Sequence, residues 1–89
     1  MKKITIPPHA AERMLLRGTT EVEVRETIAS QTGDPVKAGR FASRKTFEYN
    51  SISPINHKHY RLKTIEAIWA DEPDEIVVVT VKVYYHNSV

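Results

Sequence analysis

Apolar residues between Pro8 and Arg17 recur with the period of an α-helix. Pro8 suits the first helical position, because its φ is close to the helical value and its missing N–H would have had no partner there. Gly18 readily adopts the left-handed conformation that ends a helix. The pattern therefore predicts a helix from Pro8 to Arg17. The residues of its apolar face, which we expect to pack into a core, are Ala10, Ala11, Met14 and Leu15.

A second helix is predicted from Thr20 to about Ser30. Thr20 is a suitable N-cap, and Glu23, three residues later, completes a capping box. Two helices joined by a short turn can form a helix-turn-helix DNA reader. The second helix carries three glutamates and one arginine, however, which is a poor composition for a helix in the major groove. We therefore do not favour that alternative.

The rest of the chain has the alternation typical of β-strands. Gly33, Pro35 and Gly39 predict a connecting loop from Gln31 to Arg40. The predicted strands are Phe41–Asn50, His59–Ala70 and Glu75–His86. A change of apolar phase predicts a bulge near Thr64, and apolar residues on both faces of the last strand predict that it is central. The expected fold is α+β, with two N-terminal helices packed on a twisted antiparallel sheet of three to four strands.

The size and composition of the chain exclude several classes of protein. Its 89 residues suit one domain, which we expect to span residues 1–89. The chain has no cysteine, which excludes disulfides and thiolate chemistry. The basic N-terminus lacks the apolar stretch of a signal peptide, and no segment approaches the ~20 apolar residues of a membrane span. We expect a cytoplasmic location, no membrane association and no cofactor.

Positive charge is concentrated in the middle of the chain, although the net charge is only +2. Residues 37–63 contain seven lysines and arginines and a single acid, Glu48. The acids cluster instead in the second helix and between Asp71 and Glu75. This segregation is compatible with a basic face for a polyanion such as RNA. It is equally compatible with an ordinary solvated surface.

His9, Arg13 and Arg17 follow one another at i, i+4 and i+8 along one edge of the first helix. The positive end of the helix dipole disfavours imidazolium near a helix N-terminus, and a neutral imidazole can act as a general base. Two arginines can clamp a phosphodiester and stabilise charge that develops on it. The alternative is a surface histidine beside two solvated arginines that pair with Glu12 and Glu21.

Further cations and an aromatic ring lie on the predicted strands. Thr80, Lys82 and Tyr84 share one side of the last strand, and we expect Lys82 to face solvent or a cleft. Tyr84 can stack on a base or cover the edge of the sheet. The residues that we expect to contact RNA are Arg44, Lys45, Arg61, Lys63, Lys82 and Tyr84.

Two groups of residues resemble metal sites only in part. His57 and His59 supply two ligands, but no third ligand lies at a usable spacing for zinc. The acidic turn from Asp71 to Glu75 lacks the glycine and the ligand spacing of a calcium loop. We therefore predict no metal site.

The first helix and the last strand also resemble those of a known family. The chain resembles the domain-of-unknown-function family 4258 in the pattern His9-Ala10-x-x-Arg13-Met14-x-x-Arg17-Gly18, in Val24 and Ile28, and in the strand Val78-Val79-Thr80-Val81. Members of this family are small bacterial α+β domains. They are thought to be related to the RelE, barnase and EndoU group of metal-independent ribonucleases, many of which are toxins.

The resemblance implies a toxin-like endoribonuclease with a cognate antitoxin protein. In the implied mechanism, a ribose 2′-hydroxyl attacks the adjacent phosphate and gives a 2′,3′-cyclic phosphate without a metal ion. The implied catalytic residues are His9 as base or acid, Arg13 and Arg17 as phosphate ligands, and Thr80 as a hydrogen-bond donor. Arg61 or Lys63 would join them around a cleft. The alternative is a non-catalytic module that binds nucleic acid or protein on the same scaffold.

Overall fold

Two helices and five strands make up the computed structural model, which describes residues 2–30, 33–37 and 39–88. In chain order the elements are β1 (Lys3–Thr5), α1 (Pro8–Arg17), α2 (Glu21–Ser30), β2 (Asp34–Lys37), β3 (Arg40–Ile52), β4 (His59–Asp71) and β5 (Glu75–His86). The α+β class is therefore as predicted. Neither helix of the described part has the length and apolar character that crossing a membrane requires.

The strands form one mixed sheet in the order β1-β5-β4-β3-β2. β3, β4 and β5 pair antiparallel as predicted, and β2 adds antiparallel to the start of β3. β1, however, runs parallel to the start of β5. The prediction of an antiparallel sheet with three to four strands is thus wrong in strand number and in the direction of one edge strand. β1 and β2 have three and four residues, which is too short for an alternating pattern to reveal them.

β2 lies within the segment that the sequence predicts to be a loop. Its proline is compatible with a strand because β2 is at the edge of the sheet. Gly33 precedes it, and a Cβ on Gly33 would lie 2.6 Å from the ring of Trp69. The chain therefore enters β2 by passing directly over the indole. The positions of that predicted loop that lie outside the described residues are Gln31, Thr32 and Ala38.

The central strand is β4 and not β5, contrary to the prediction. β1 covers β5 only from Glu75 to Val77. Ile76 and Val77 do lie between two strands, which explains why the start of β5 is apolar on both faces. Beyond Val77, β5 is the edge of the described sheet. The sequence of β5 alone does not reveal where its neighbour ends.

The predicted bulge near Thr64 is also wrong. Thr64 pairs regularly with Thr46 on β3 and with Tyr84 on β5. The register of β4 with β5 instead shifts between Ile68 and Trp69, and that of β3 with β4 shifts between Glu48 and Ser51. The change of apolar phase in β4 therefore reflects side chains that lie on both faces of a central strand, and no extra residue is needed to explain it.

Both helices pack on one face of the sheet. The core cluster consists of Ile4, Ala10, Met14, Val24, Ile28, Ile65, Ala67, Val78 and Val81. Because Ile65 and Ala67 face the helices, their neighbours in β4 point to the opposite face. We call that opposite surface the helix-free face. By register it carries Arg44 and Thr46 of β3, Thr64, Glu66 and Ile68 of β4, and Thr80, Lys82, Tyr84 and His86 of β5.

The predicted ends of the helices are confirmed. A proline occupies the first turn of α1, and Gly18 ends the helix with φ 89°. The backbone N–H of Thr19 then donates to the carbonyl oxygen of Met14 at 3.0 Å. In α2, Thr20 and Glu23 exchange the two hydrogen bonds of a capping box, each 3.3 Å long.

One part of the predicted apolar face of α1 is not in the core. Ala10 and Met14 are buried, whereas Leu15 is 72% exposed. α1 lies over β5 at the edge of the sheet, so the sheet covers only a narrow stripe of its surface. Leu15 instead borders an open groove of about 470 Å³ at the joint between the helices. The other residues that line this groove are Ala11, Met14, Thr20, Glu21 and Val22.

Candidate functional site

The edge of α1 that carries His9 and Arg13 faces solvent. Both side chains are exposed and make no hydrogen bond or ion pair with any described residue. Arg17, the third member of the predicted stripe, donates from Nη1 to the main-chain oxygen of Val81. That hydrogen bond satisfies a carbonyl on the unpaired edge of β5, so Arg17 has a role in the fold.

The structure does not bring the predicted catalytic residues into one cleft. Lys63 lies beneath the C-terminal end of α1, where it bonds to Gly18. His9 is nine residues earlier, or ~14 Å away along the helix axis. Thr80 pairs with Ile68 and therefore points to the helix-free face, away from α1. His9 and Arg13 thus have neither Lys63 nor Thr80 beside them.

Five of the six residues predicted to contact RNA fall into two groups. Arg44, Lys82 and Tyr84 share the helix-free face, and all three are exposed. Lys45 and Lys63 lie on the helix side, where Lys63 is buried and Lys45 is 3.8 Å from a carboxylate of α2. The sixth residue, Arg61, is exposed near the start of β4.

Glu66 lies at the centre of the helix-free face, and no sequence pattern distinguishes it from the other acidic residues. Its carboxylate is 2.5 Å from the guanidinium of Arg44 on β3. On the other side, its pairing partner on β5 is Lys82. Glu66 therefore lies between two cations, and the three residues belong to three adjacent strands. The side chain of Glu66 is only 8% exposed, whereas that of Arg44 remains half-exposed.

His86 ends a chain of hydrogen bonds on the same face. Its Nε2 is 2.8 Å from Oγ1 of Thr64, and that oxygen is 2.8 Å from Oγ1 of Thr46. Its Nδ1 is 2.8 Å from the carbonyl oxygen of Ser88. Because a carbonyl only accepts, Nδ1 carries the proton in the neutral ring. Thr64 then donates to Nε2 and accepts from Thr46.

These contacts fix the orientation of the His86 ring, whereas His9 has no such partner among the described residues. The sequence did contain a signal for His86, since it continues the side of β5 on which Thr80, Lys82 and Tyr84 were placed. Its partners on β3 and β4 could not be found in this way, because they depend on the register of three strands. Among the described residues, no group of three or more potential ligands is placed to hold a metal ion.

Comparisons of this chain with protein-family models, with curated proteins and with solved structures found no match.

Proposed function

We propose that this domain binds RNA on the helix-free face of its sheet and cleaves it by attack of a ribose 2′-hydroxyl on the adjacent phosphate. The observation that carries the proposal is the fixed imidazole of His86 on the same face as Glu66 and its two flanking cations. Cleavage of this kind needs a group that takes a proton, a group that gives one, and positive charge beside the phosphate. The face offers all three.

We assign proton transfer to Glu66 and His86. Thr64, which bonds the imidazole, is two residues from Glu66, a step of about 7 Å along the strand. A phosphodiester over the side chain of Thr64 would have Glu66 on one side and His86 on the other. Glu66 takes the proton of the ribose 2′-hydroxyl while the oxygen of that hydroxyl forms its bond to phosphorus. His86, as imidazolium, passes its Nε2 proton to the hydroxyl of Thr64, which in turn protonates the 5′-oxygen as the bond between that oxygen and phosphorus breaks. The products are a 2′,3′-cyclic phosphate and a 5′-hydroxyl.

The remaining side chains of the face suit the same substrate. Arg44 and Lys82 flank Glu66 and would stabilise negative charge on the non-bridging phosphate oxygens. Tyr84 pairs with Thr64 and is half-exposed, so its ring is available to stack on a base. Thr80 lies two residues before Lys82 on the same side of β5, and its hydroxyl can donate a hydrogen bond. Four of the residues selected from the sequence therefore support this location: Arg44, Thr80, Lys82 and Tyr84.

A non-catalytic RNA-binding module on the same face is the second candidate. The close Arg44–Glu66 ion pair favours it, because the carboxylate that would take the proton already accepts a hydrogen bond from a guanidinium. Cleavage would require the phosphate to draw Arg44 away from Glu66. Binding alone would not.

Incubation of the chain with RNA in the presence of EDTA tests the proposal. We expect products that end in a 2′,3′-cyclic phosphate and a 5′-hydroxyl. A matched oligonucleotide with 2′-O-methyl groups should bind and remain intact, because it lacks the attacking hydroxyl. If messenger, transfer and ribosome-bound RNA all remain intact, the cleavage step is refuted. Binding without cleavage would then support the second candidate.

A further inference from the structure

The loop between β3 and β4 is an ordered structure. We call residues Ile52–His59 the hairpin tip. The N–H of Ser53 donates to the carbonyl oxygen of Lys58 at 2.8 Å, and the N–H of His57 donates back to that of Ser53 at 2.9 Å. The Ser53 hydroxyl also accepts from the N–H of Ile55 at 3.1 Å, and Ser53 is fully buried. The hairpin tip therefore presents its outer side chains from a fixed backbone.

Two isoleucines of the hairpin tip face solvent. Ile52 is 50% exposed and Ile55 is 61% exposed. Neither belongs to the core cluster or packs against it. Exposed branched aliphatic side chains on a fixed loop offer an apolar surface to the faces of bases, and isoleucine is among the side chains that proteins insert between base steps.

The charge around these isoleucines is of one sign. The segment from Tyr49 to Ile65 contains no acidic residue. Lys58 and Arg61 are exposed, and their side chains make no hydrogen bond or ion pair with a described residue. Unpaired cations beside apolar groups match a polyanion that carries flat rings, which is the chemistry of a nucleic acid strand.

The hairpin tip lies beyond the His86 end of the sheet, and its Pro54 lies beside Gly18 at the end of α1. His86 pairs with Leu62, and the side chain of Asn87 accepts from the N–H of Arg61 at 3.1 Å. Three residues of extended strand, about 10 Å, separate Leu62 from His59 at the base of the tip. That length corresponds to about three stacked nucleotides at ~3.4 Å each.

We infer that the hairpin tip is a second RNA-contacting surface, which holds the single strand a few nucleotides beyond the site at His86. Lys58 and Arg61 contact phosphates, and Ile52 and Ile55 contact bases. The inference rests on the RNA-binding part of the proposed function and is independent of its cleavage step.

Anisotropy of a labelled, single-stranded 2′-O-methyl oligoribonucleotide tests this inference on the full chain. Lys58→Ala should weaken binding about five-fold and reduce the slope of log K against log salt by about 0.7, the loss of one phosphate contact. Ile55→Ser should weaken binding without changing that slope, because it removes no charge. Lys37→Ala is the matched control, since Lys37 is equally exposed but lies on β2 at the other end of the sheet.

Each outcome decides the inference. It stands if both tip variants weaken binding while Lys37→Ala stays within about two-fold of the wild type. It is overturned if the tip variants bind like the wild type, if Lys37→Ala is as weak as Lys58→Ala, or if no oligonucleotide binds. Lys58-dependent binding to vesicles of anionic phospholipid, without binding to the oligonucleotide, would also overturn it. If unmodified RNA binds through the tip but remains intact, only the proposed cleavage fails.

Discussion

Lys63 is the residue that joins the helices to the sheet. Its side chain is 6% exposed, and its Nζ donates to the carbonyl oxygen of Gly18 and to Oε1 of Glu23, both at 2.9 Å. The same carboxylate oxygen accepts from the hydroxyl of Thr19. The ammonium also lies 5.0 Å from the centre of the Tyr49 ring. Lys63 was predicted to contact RNA, but its charge is satisfied by partners inside the domain.

Replacement of Lys63 by methionine should destabilise the protein by about 3 kcal/mol, because it leaves the Glu23 carboxylate without its cation. Urea unfolding measures the loss. Lys45→Met is the control, since Lys45 is 3.8 Å from Glu26 and both are partly exposed; we expect less than ~1 kcal/mol there. Equal losses for the two variants would contradict the structural role of Lys63.

Gly18 is needed both for its backbone conformation and for the space that it leaves. Its φ is 89°, and a Cβ at this position would overlap the hydroxyl of Tyr85 and lie 3.0 Å from Pro54. Gly39 shares the positive φ, at 72°, but a Cβ there would meet nothing within 4 Å. Substitutions at the two glycines therefore distinguish the cost of backbone strain, which both share, from the cost of a steric clash, which arises only at Gly18.

We expect Gly18→Ala to lower the free energy of unfolding by more than ~1 kcal/mol, and Gly39→Ala to lower it by clearly less. Thermal unfolding of the two variants side by side measures the difference. If Gly39→Ala costs as much as Gly18→Ala, the contact with Tyr85 and Pro54 carries no energy.

At the scale of the element, Tyr85 ties β5 to the end of α1. Its hydroxyl donates to the carbonyl oxygen of Arg17 at 2.5 Å. Burial raises the pKa of Tyr85 from 10.0 to about 12, and the neighbouring Tyr49 adds to the effect. The folded state therefore holds this proton more tightly than the unfolded state does.

The free energy of unfolding should consequently fall as the pH rises from 10 towards 12, because the unfolded chain loses the proton of Tyr85 first. Tyr85→Phe has no proton to lose and should lack this part of the decline. Urea unfolding at several pH values between 9 and 12 compares the two proteins. The same pH dependence in both would contradict the raised pKa.

The helices were predictable because their boundaries depend on local chemistry. Pro8 and Gly18 bound α1, and the capping box of Thr20 and Glu23 starts α2. The exposure of Leu15 was not predictable, since it depends on how far the sheet extends beneath α1. Helical periodicity identifies the apolar side of a helix but not the width of the surface that covers it.

Prediction from the sequence has the same limit for the strands that form the candidate site. Alternation correctly placed Thr80, Lys82 and Tyr84 on one side of β5. The contact of His86 with Thr64 joins residues 22 positions apart, and it depends on the register shift between Ile68 and Trp69. A one-residue change of register would turn these side chains to the other face. A single sequence does not specify that register.

At the scale of the whole molecule, the sheet separates structural charges from available ones. On the helix side, the charged groups of Lys63 and Arg17 donate hydrogen bonds to main-chain oxygens of the domain. On the helix-free face, Lys82 and Tyr84 are exposed beside the fixed ring of His86. The hairpin tip extends the sheet beyond its His86 end. We therefore place RNA on the side of the sheet that the helices leave open.

The rate of RNA cleavage by His86→Ala, measured beside His9→Ala in EDTA, tests this placement most directly. We expect His86→Ala to lose about 10²–10⁴-fold in rate, because it removes the group that supplies the proton for the 5′-oxygen. His9→Ala should stay within about two-fold of the wild type, since its exposed ring does not approach the helix-free face. A large loss in His9→Ala with full activity in His86→Ala would contradict the account and move the chemistry to the edge of α1.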